Sequence, residues 1–303
     1  MCELKNSKFP RRGFVLAALD YVKKTTNEEQ TGKFKRNGVF GIEQDSGVAS
    51  LAVVNMIFRG DGKNNIIEGN CFAKFLDPAI LDGVRTARYT TIQSNNPPMT
   101  KVLMNPPFAL KRSDEKEYKF INQALKQMEE GGILFSVFPY SGMVKPGGYR
   151  SWRENLLKNN TLLSVITFPE DLFYPIGVHT VGIFIKKGIP HPQNQNILWI
   201  RALNDGFIKS KGKRLPSTRI NNDLERVKDI LKAFLVNPAT TVGGIEEFQK
   251  ATPIDFEDSH LELVPEAYLD QAPPSKEIIK EVAESITRGA TAFIITSQKE
   301  EEV

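Results

Sequence analysis

The sequence predicts an α/β protein. A doubly wound, Rossmann-like sheet covered by helices on both faces is expected over residues 1–205, with a smaller region over 206–303. Three observations predict it. Short apolar runs alternate with longer amphipathic stretches. Several of the short runs, such as "ILFSVFP" (133–139) and "LLSVITFP" (162–169), are apolar at almost every position, the mark of parallel strands buried on both faces. From about residue 203 onward the sequence becomes Pro-rich and irregular, with isolated helices.

In chain order, "NGVFGIEQD" (37–45) reads as a strand and its turn. "SGVASLAVVNMIFRG" (46–60) reads as a helix, with Leu51, Val54, Asn55 and Phe58 recurring near helical spacing and Gly60 as its cap. "NNIIEGN" (64–70) and "KVLMN" (101–105) read as short strands, the second stopped by prolines. "SDEKEYKFINQALKQMEEGG" (113–132) is expected as one helix: Ser113 is the N-cap, Phe120, Ile121, Ala124, Leu125 and Met128 form its stripe, and Gly131 ends it. Strands follow at 133–139, 162–169, 178–188 and 196–202, with a helix over 149–160. Helices over 221–237 and near 275–288 complete the pattern.

A chain of 303 residues, 40% apolar and 25% charged, has ordinary globular composition and enough length for a sizeable core. Two cysteines, Cys2 and Cys71, exclude a disulfide framework, and three scattered histidines with no zinc spacing give no metal site. A reducing cytoplasm is the expected compartment, with no membrane span and no signal-peptide pattern. The net charge of +4 is unevenly spread: residues 201–219, "RALNDGFIKSKGKRLPSTR", carry six cations and one acid. That segment is open to two readings, a solvated loop or a contact for a polyanion.

Asn-Pro-Pro occurs twice, at 96–98 and 105–107. In an open sheet, ligands sit just beyond the carboxyl ends of strands. Asn105 lies at such an end, after "KVLM", whereas Asn96 follows the polar "TTIQSN". The chemistry also favours the second copy. The exocyclic amino group of adenine is a poor nucleophile, because its lone pair is delocalised into the ring. An amide oxygen from Asn105 and the backbone carbonyl of Pro106 can accept its two N–H bonds, with Pro107 rigidifying the loop. Phe108 can stack on a base taken out of a duplex.

With those residues, "LMNPPF" resembles the Asp/Asn-Pro-Pro-Tyr/Phe motif of amino-group DNA methyltransferases. The flanks "GVFGIEQDSGVASLAVVNMIFRGDGKNNIIEGNCF", "YRSWRENLLKNNTLLSVITFPEDLFYPIGVHTVGIFIKKG" and "LVPEAYLD" (263–270) are similar to modification subunits of type I restriction systems over about residues 10–270. The resemblance implies a Rossmann-like methyltransferase sheet and transfer of a methyl group from S-adenosylmethionine to adenine N6 in double-stranded DNA. It also implies a specificity subunit, and a restriction subunit, as partners. By the same resemblance Gly13 belongs to the cofactor loop, Glu43 binds the cofactor ribose and Asn70 its adenine.

The chain departs from the family pattern at the loop Asp-Pro-x-x-Gly-x-Gly-Gly-Phe. "NSKFPRRGF" keeps Gly13-Phe14, while Pro10 and Arg12 stand where glycines let backbone approach the cofactor. A truncated N-terminus and weak or absent cofactor binding are therefore expected for this chain alone. The alternative reading is a catalytically inactive subunit contributing DNA or partner contacts.

Overall fold

The computed structural model describes residues 13–60, 65–81, 84–95, 99–108, 116–174, 177–210, 213–238, 247–270, 279–280 and 282–288. The loop residues Asn6, Ser7, Pro10 and Arg12, the first Asn-Pro-Pro copy and Ser113 lie outside them. The chain forms two compact units, Met1–Leu269 and Asp270–Val303. In the second, residues 282–288 are helical and Arg288 pairs with Glu284.

Helices α1 (Phe14–Thr25) and α2 (Glu28–Asn37) lead into β1 (Gly41–Glu43), α3 (Ser46–Phe58) and β2 (Ile66–Glu68). A hairpin of β3 (Phe75–Leu81) and β4 (Val84–Thr90) precedes β5 (Met99–Met104), α4 (Glu117–Lys126) and β6 (Met128–Pro139). The chain continues through α5 (Tyr140–Val144), α6 (Gly148–Asn159), β7 (Asn160–Thr167), β8 (Thr180–Lys187) and β9 (Ile197–Arg201). A second hairpin, β10 (Phe207–Ser210) and β11 (Lys213–Pro216), is followed by α7 (Asp223–Val236), β12 (Gln249–Thr252) and a 3-10 turn at Pro265–Ala267.

Six strands form the central sheet in the order β12-β9-β7-β8-β6-β5, and β1 pairs with β2 separately. The sheet is mixed rather than wholly parallel. β5 runs parallel to β6 and β7 to β9, but β8 is antiparallel to both β6 and β7. Among the described residues no helix separates β7 from β8, so no crossover returns the chain to the same end before β8 begins. An apolar run reports burial on both faces, not direction: all eight positions of β7 are buried.

That two-faced burial is real. On β7 and β9, Val165, Ile197 and Trp199 join a core with Phe120 and Ile121 of α4 and Leu156 of α6. The alternate residues Ile166, Leu198 and Ile200 pack against Val227, Ile230 and Phe234 of α7. Because α7 covers one face and β12 extends the sheet beside β9, the region after residue 205 packs as part of the first unit. The division falls at Leu269, later than the expected boundary.

Two local expectations are corrected. The helix expected to reach residue 132 ends at Lys126, and Met128 begins β6. Met128 is fully buried from a strand, and Gly131, at φ +78°, sits within β6 near the register shift against β5. Helix α3 forms as expected, but it buries Ala49 and Met56 while Leu51, Val54 and Phe58 stay exposed. Tertiary packing, not the stripe, chose its inner face.

Candidate active site

The carboxyl ends of β5, β6 and β7 and the start of β8 share one rim of the sheet, since Met104 pairs with Ser136, Pro139 with Thr180 and Thr167 with Val181. Asn105 stands on this rim directly after β5. Its Oδ1 is buried and has no hydrogen-bond partner among the described residues. A buried amide acceptor left unpaired is expensive, so an oxygen in this state points to a ligand that donates to it. Pro106 is buried, and Pro107 and Phe108 are half-buried. The Phe108 ring meets Phe173 edge to face, with centroids 6.1 Å apart.

Phe173 belongs to the turn 170–174, which the basic segment braces. Arg214 donates to the Leu172 carbonyl at 3.1 Å and pairs with buried Asp205. Lys209 lies 3.7 Å from Asp171 and over the Tyr174 ring. The cations of 201–219 are thus partly structural: Arg214 is consumed by the brace, while Lys209 keeps 54% of its side chain exposed beside the rim.

Other rim groups carried no signal in the sequence beyond lying at strand ends. Tyr140, first residue after β6, stacks on His179 with centroids 4.4 Å apart. Burial, and then the negative charges of Glu266 and Glu262, push the Tyr140 hydroxyl up to about 12, so it is a neutral donor at pH 7. Glu266 also accepts from Thr167 Oγ1 at 2.9 Å. The "LVPEAYLD" segment therefore closes over the rim. Tyr268 anchors it, stacked on Trp199 at 3.9 Å.

Arg153 of α6 holds the approach to that segment. Fully buried, it donates to the carbonyls of Gly142 (2.7 Å), Lys145 (3.0 Å), His260 (2.8 Å) and Leu261 (2.9 Å). Leu261 is at φ +50°, a left-handed conformation that a leucine keeps only when its surroundings fix it.

The expected cofactor residues sit on β1, β2 and α1. Glu43, 8% exposed at the end of β1, accepts from the Asp45 backbone N–H at 2.9 Å. It is therefore no solvent-facing acid. Gly69 N–H donates to the Glu43 carbonyl at 2.8 Å, which sets Asn70 at the same end of the β1–β2 pair. Asn70 Oδ1 accepts from Phe72 N–H at 2.9 Å, the geometry of a turn asparagine. Gly13 is the N-cap of α1. The next residue, Phe14, meets Phe135 at 6.1 Å, and Phe135 is the cross-strand partner of Leu103, two residues before Asn105. Gly13 is thereby linked to the rim through β6, whereas Glu43 and Asn70 lie at the end of a strand pair that, among the described residues, is not hydrogen-bonded to β5. Among the described residues no group of three His, Cys, Asp or Glu side chains could hold a metal ion.

Residues 11–273 match the N-6 DNA Methylase family. The type II restriction enzyme and methyltransferase RM.BcgI of Heyndrickxia coagulans is 31% identical over 204 residues, which cover 65% of this chain and 30% of that protein. The methylase subunit of the type I restriction enzyme EcoKI from Escherichia coli strain K12 is 26% identical over 225 residues, 68% of this chain and 41% of that one. The crystal structure of the EcoKI M protein superposes with a TM-score of 0.61 at 18% identity, over 91% of this chain and 65% of that one. A chain from a structure of type I restriction–modification complex assembly gives 0.60 at 18% identity, over 96% and 60%. The chain thus spans about a third to two-fifths of the curated relatives' length and shares the methyltransferase fold of these solved structures. With its Asn-Pro-Pro-Phe sequence on the rim of that fold, the chain belongs to the N-6 DNA Methylase family.

Proposed function

We propose that this chain serves methyl transfer from S-adenosylmethionine to the N6 amino group of adenine in double-stranded DNA, within a restriction–modification system of the cytoplasm. The observation that carries this reading is the buried, unpartnered Oδ1 of Asn105 at the end of β5, beside the half-buried ring of Phe108. Asn105 Oδ1 and the Pro106 carbonyl accept the two N–H bonds of the adenine amino group and direct its lone pair outward. Pro106 and Pro107 fix the backbone of that loop before the base arrives, so little ordering entropy is lost on binding. Phe108 stacks on the flipped base, and Phe173 supports its ring. The cofactor supplies the methyl group in activated form. Glu43 is the acceptor for ribose hydroxyls, Asn70 offers its amide to the adenine of the cofactor, and Gly13 opens the backbone at the start of α1.

Exposed Lys209 beside Phe173 is a phosphate contact, and a specificity subunit supplies the target sequence, with a restriction subunit as a further partner. The names of the relatives, methylase subunits of type I enzymes, support those partners. The test is transfer of labelled methyl groups to DNA by the chain with its partner subunits. Asn105→Ala should abolish transfer, whereas Asn96→Ala should leave it nearly unchanged. Equal loss from both, in variants that fold, overturns the assignment.

The second reading, a subunit that contributes DNA or partner contacts without catalysis, rests on Pro10 and Arg12 in the loop before Gly13. It expects titration calorimetry to show weak or no S-adenosylmethionine binding to the 303-residue chain. Micromolar affinity excludes it.

A further inference from the structure

Residues 207–216, "FIKSKGKRLP", carry four cations and no acid. Their strands β10 and β11 pair antiparallel, with Phe207 opposite Pro216, Ile208 opposite Leu215 and Lys209 opposite Arg214. Side chains alternate across a two-stranded ribbon. Phe207, Lys209, Arg214 and Pro216 therefore share one face, and Ile208, Lys213 and Leu215 share the other. The first face is turned to the protein. Arg214, its side chain 7% exposed, donates to the Leu172 carbonyl and pairs with Asp205, while its guanidinium lies over the Phe207 ring. Lys209 reaches Asp171 from the same face.

The pattern is inverted. A half-buried ribbon turns apolar side chains inward and charges outward. Here an arginine is buried, while Ile208 is 41% and Leu215 45% exposed. Neither belongs to a hydrophobic cluster of the described residues. As directly opposed residues they have Cβ atoms about 5 Å apart, so two branched side chains project as one blunt apolar edge. Lys213 is exposed beside that edge.

A partner for this edge must offer an apolar interior with negative charge around it. Duplex DNA has both, a stack of bases between two rows of phosphates. The place of the hairpin selects it. Arg214 and Lys209 hold the ribbon against the turn 170–174, and Phe173 of that turn meets the Phe108 ring. A duplex that delivers an adenine to Phe108 and Asn105 lies over this same rim. The charged brace also gives stiffness, since a ribbon that yielded would bend away rather than open a stack.

We propose that the β10–β11 hairpin is a wedge for duplex DNA. Ile208 and Leu215 enter the base stack next to the target adenine, and Lys209 and Lys213 contact phosphates on either side. Opening a step is unfavourable, and apolar side chains that fill it make removal of the neighbouring base less costly. This rests on the reading that an adenine of DNA is turned out onto the rim.

The test uses the 303-residue chain and a duplex of roughly two helical turns. The duplex carries one adenine mismatched with cytosine and 2-aminopurine as its neighbour, which brightens when it unstacks. The chain should raise that fluorescence. Ile208→Ser with Leu215→Ser should abolish the rise and weaken binding to the duplex by about tenfold or more. Binding to the single strand of the same sequence should change less than about twofold, because no duplex stack has to be opened. Ile208→Met with Leu215→Met should restore both the rise and the affinity. Ile208→Lys with Leu215→Lys adds charge that favours DNA, yet it should also lose the rise. Lys213→Gln should reduce the salt dependence of binding by about one phosphate contact on either probe.

Four outcomes overturn the proposal: no rise with the unaltered chain, a normal rise with serine or lysine at both positions, no recovery with methionine, or equal loss of affinity on duplex and single strand. Sedimentation with phosphatidylserine vesicles that the serine pair abolishes, with step opening intact, would assign the edge to a lipid surface instead. The readout needs neither cofactor nor methyl transfer. A wedge that fails while Asn105→Ala still abolishes transfer leaves the functional reading standing, and step opening with transfer indifferent to Asn105 does the reverse.

Discussion

Asn105→Ala should make this protein more stable while it removes the acceptor proposed for the substrate. Oδ1 of Asn105 is buried without a partner among the described residues, and an unsatisfied buried acceptor costs about 1–3 kcal/mol. Alanine removes that acceptor. The side chain is only half-buried, so truncation leaves a small gap open to the rim rather than a sealed cavity. The gain should approach the lower half of the range, about 1–2 kcal/mol. At about 2–4 °C per kcal/mol for a domain of this size, the thermal midpoint should rise by about 2–8 °C. Asn105→Asp should do the opposite, because it places a carboxylate where a neutral acceptor already lacks a donor. Differential scanning calorimetry on the chain without cofactor or DNA decides both. A midpoint that falls in the alanine variant would mean that Asn105 is held by the fold, and the argument from its orphaned oxygen would be wrong.

Arg153→Met should destabilise by about 3–5 kcal/mol in urea titration, since four carbonyls lose a buried cation's donors, and Arg153→Lys should recover only part of it. The ring nitrogens of His191 are buried without a hydrogen-bond partner among the described residues, and burial lowers it to about 4, below its unfolded value near 6.5. The unfolded chain therefore binds the proton first, and stability should fall by about 3 kcal/mol as pH drops from 6.5 to 4. His191→Phe should flatten that limb of the pH–stability curve. Phe173→Ala should cost about 0.5–1.5 kcal/mol of ring contact with Phe108 and weaken binding of an oligonucleotide carrying an unpaired adenine. Unchanged binding with a normal melt would remove Phe173 from the site.

What the sequence revealed followed from local signals. Apolar runs gave β6 to β9, and the longer amphipathic stretches gave α6 and α7, because those features act within a few residues. The antiparallel course of β8 was illegible, since a buried strand has the same composition in either direction. Helix α4 was read too long because Met128 satisfies a helical stripe and a buried strand equally well. Both hairpins, β3–β4 and β10–β11, were missed: Asp77-Pro78 interrupts β3, and the cation-bearing β4, β10 and β11 lack the apolar alternation that marks a half-buried pair. At the candidate site, the placement of Asn105 and Phe108 just past a strand end was legible from an unusual motif. Tyr140, Phe173 and Glu266 were not, because their meaning depends on partners that are distant in sequence.

The Arg153 clasp also bears on how quickly the protein folds and how long it stays folded. Two of its carbonyls come from residues 107 and 108 positions further along the chain. Contacts of such sequence separation close late, after the strands between them have paired, and they raise contact order. A bond absent from the folding transition state sets the unfolding rate and leaves the folding rate nearly untouched. Arg153 is in that sense a latch on lifetime. Loosening it would let the segment through Glu266 open and reclose without loss of the sheet, and a protease would find residues 258–270 before it found the core.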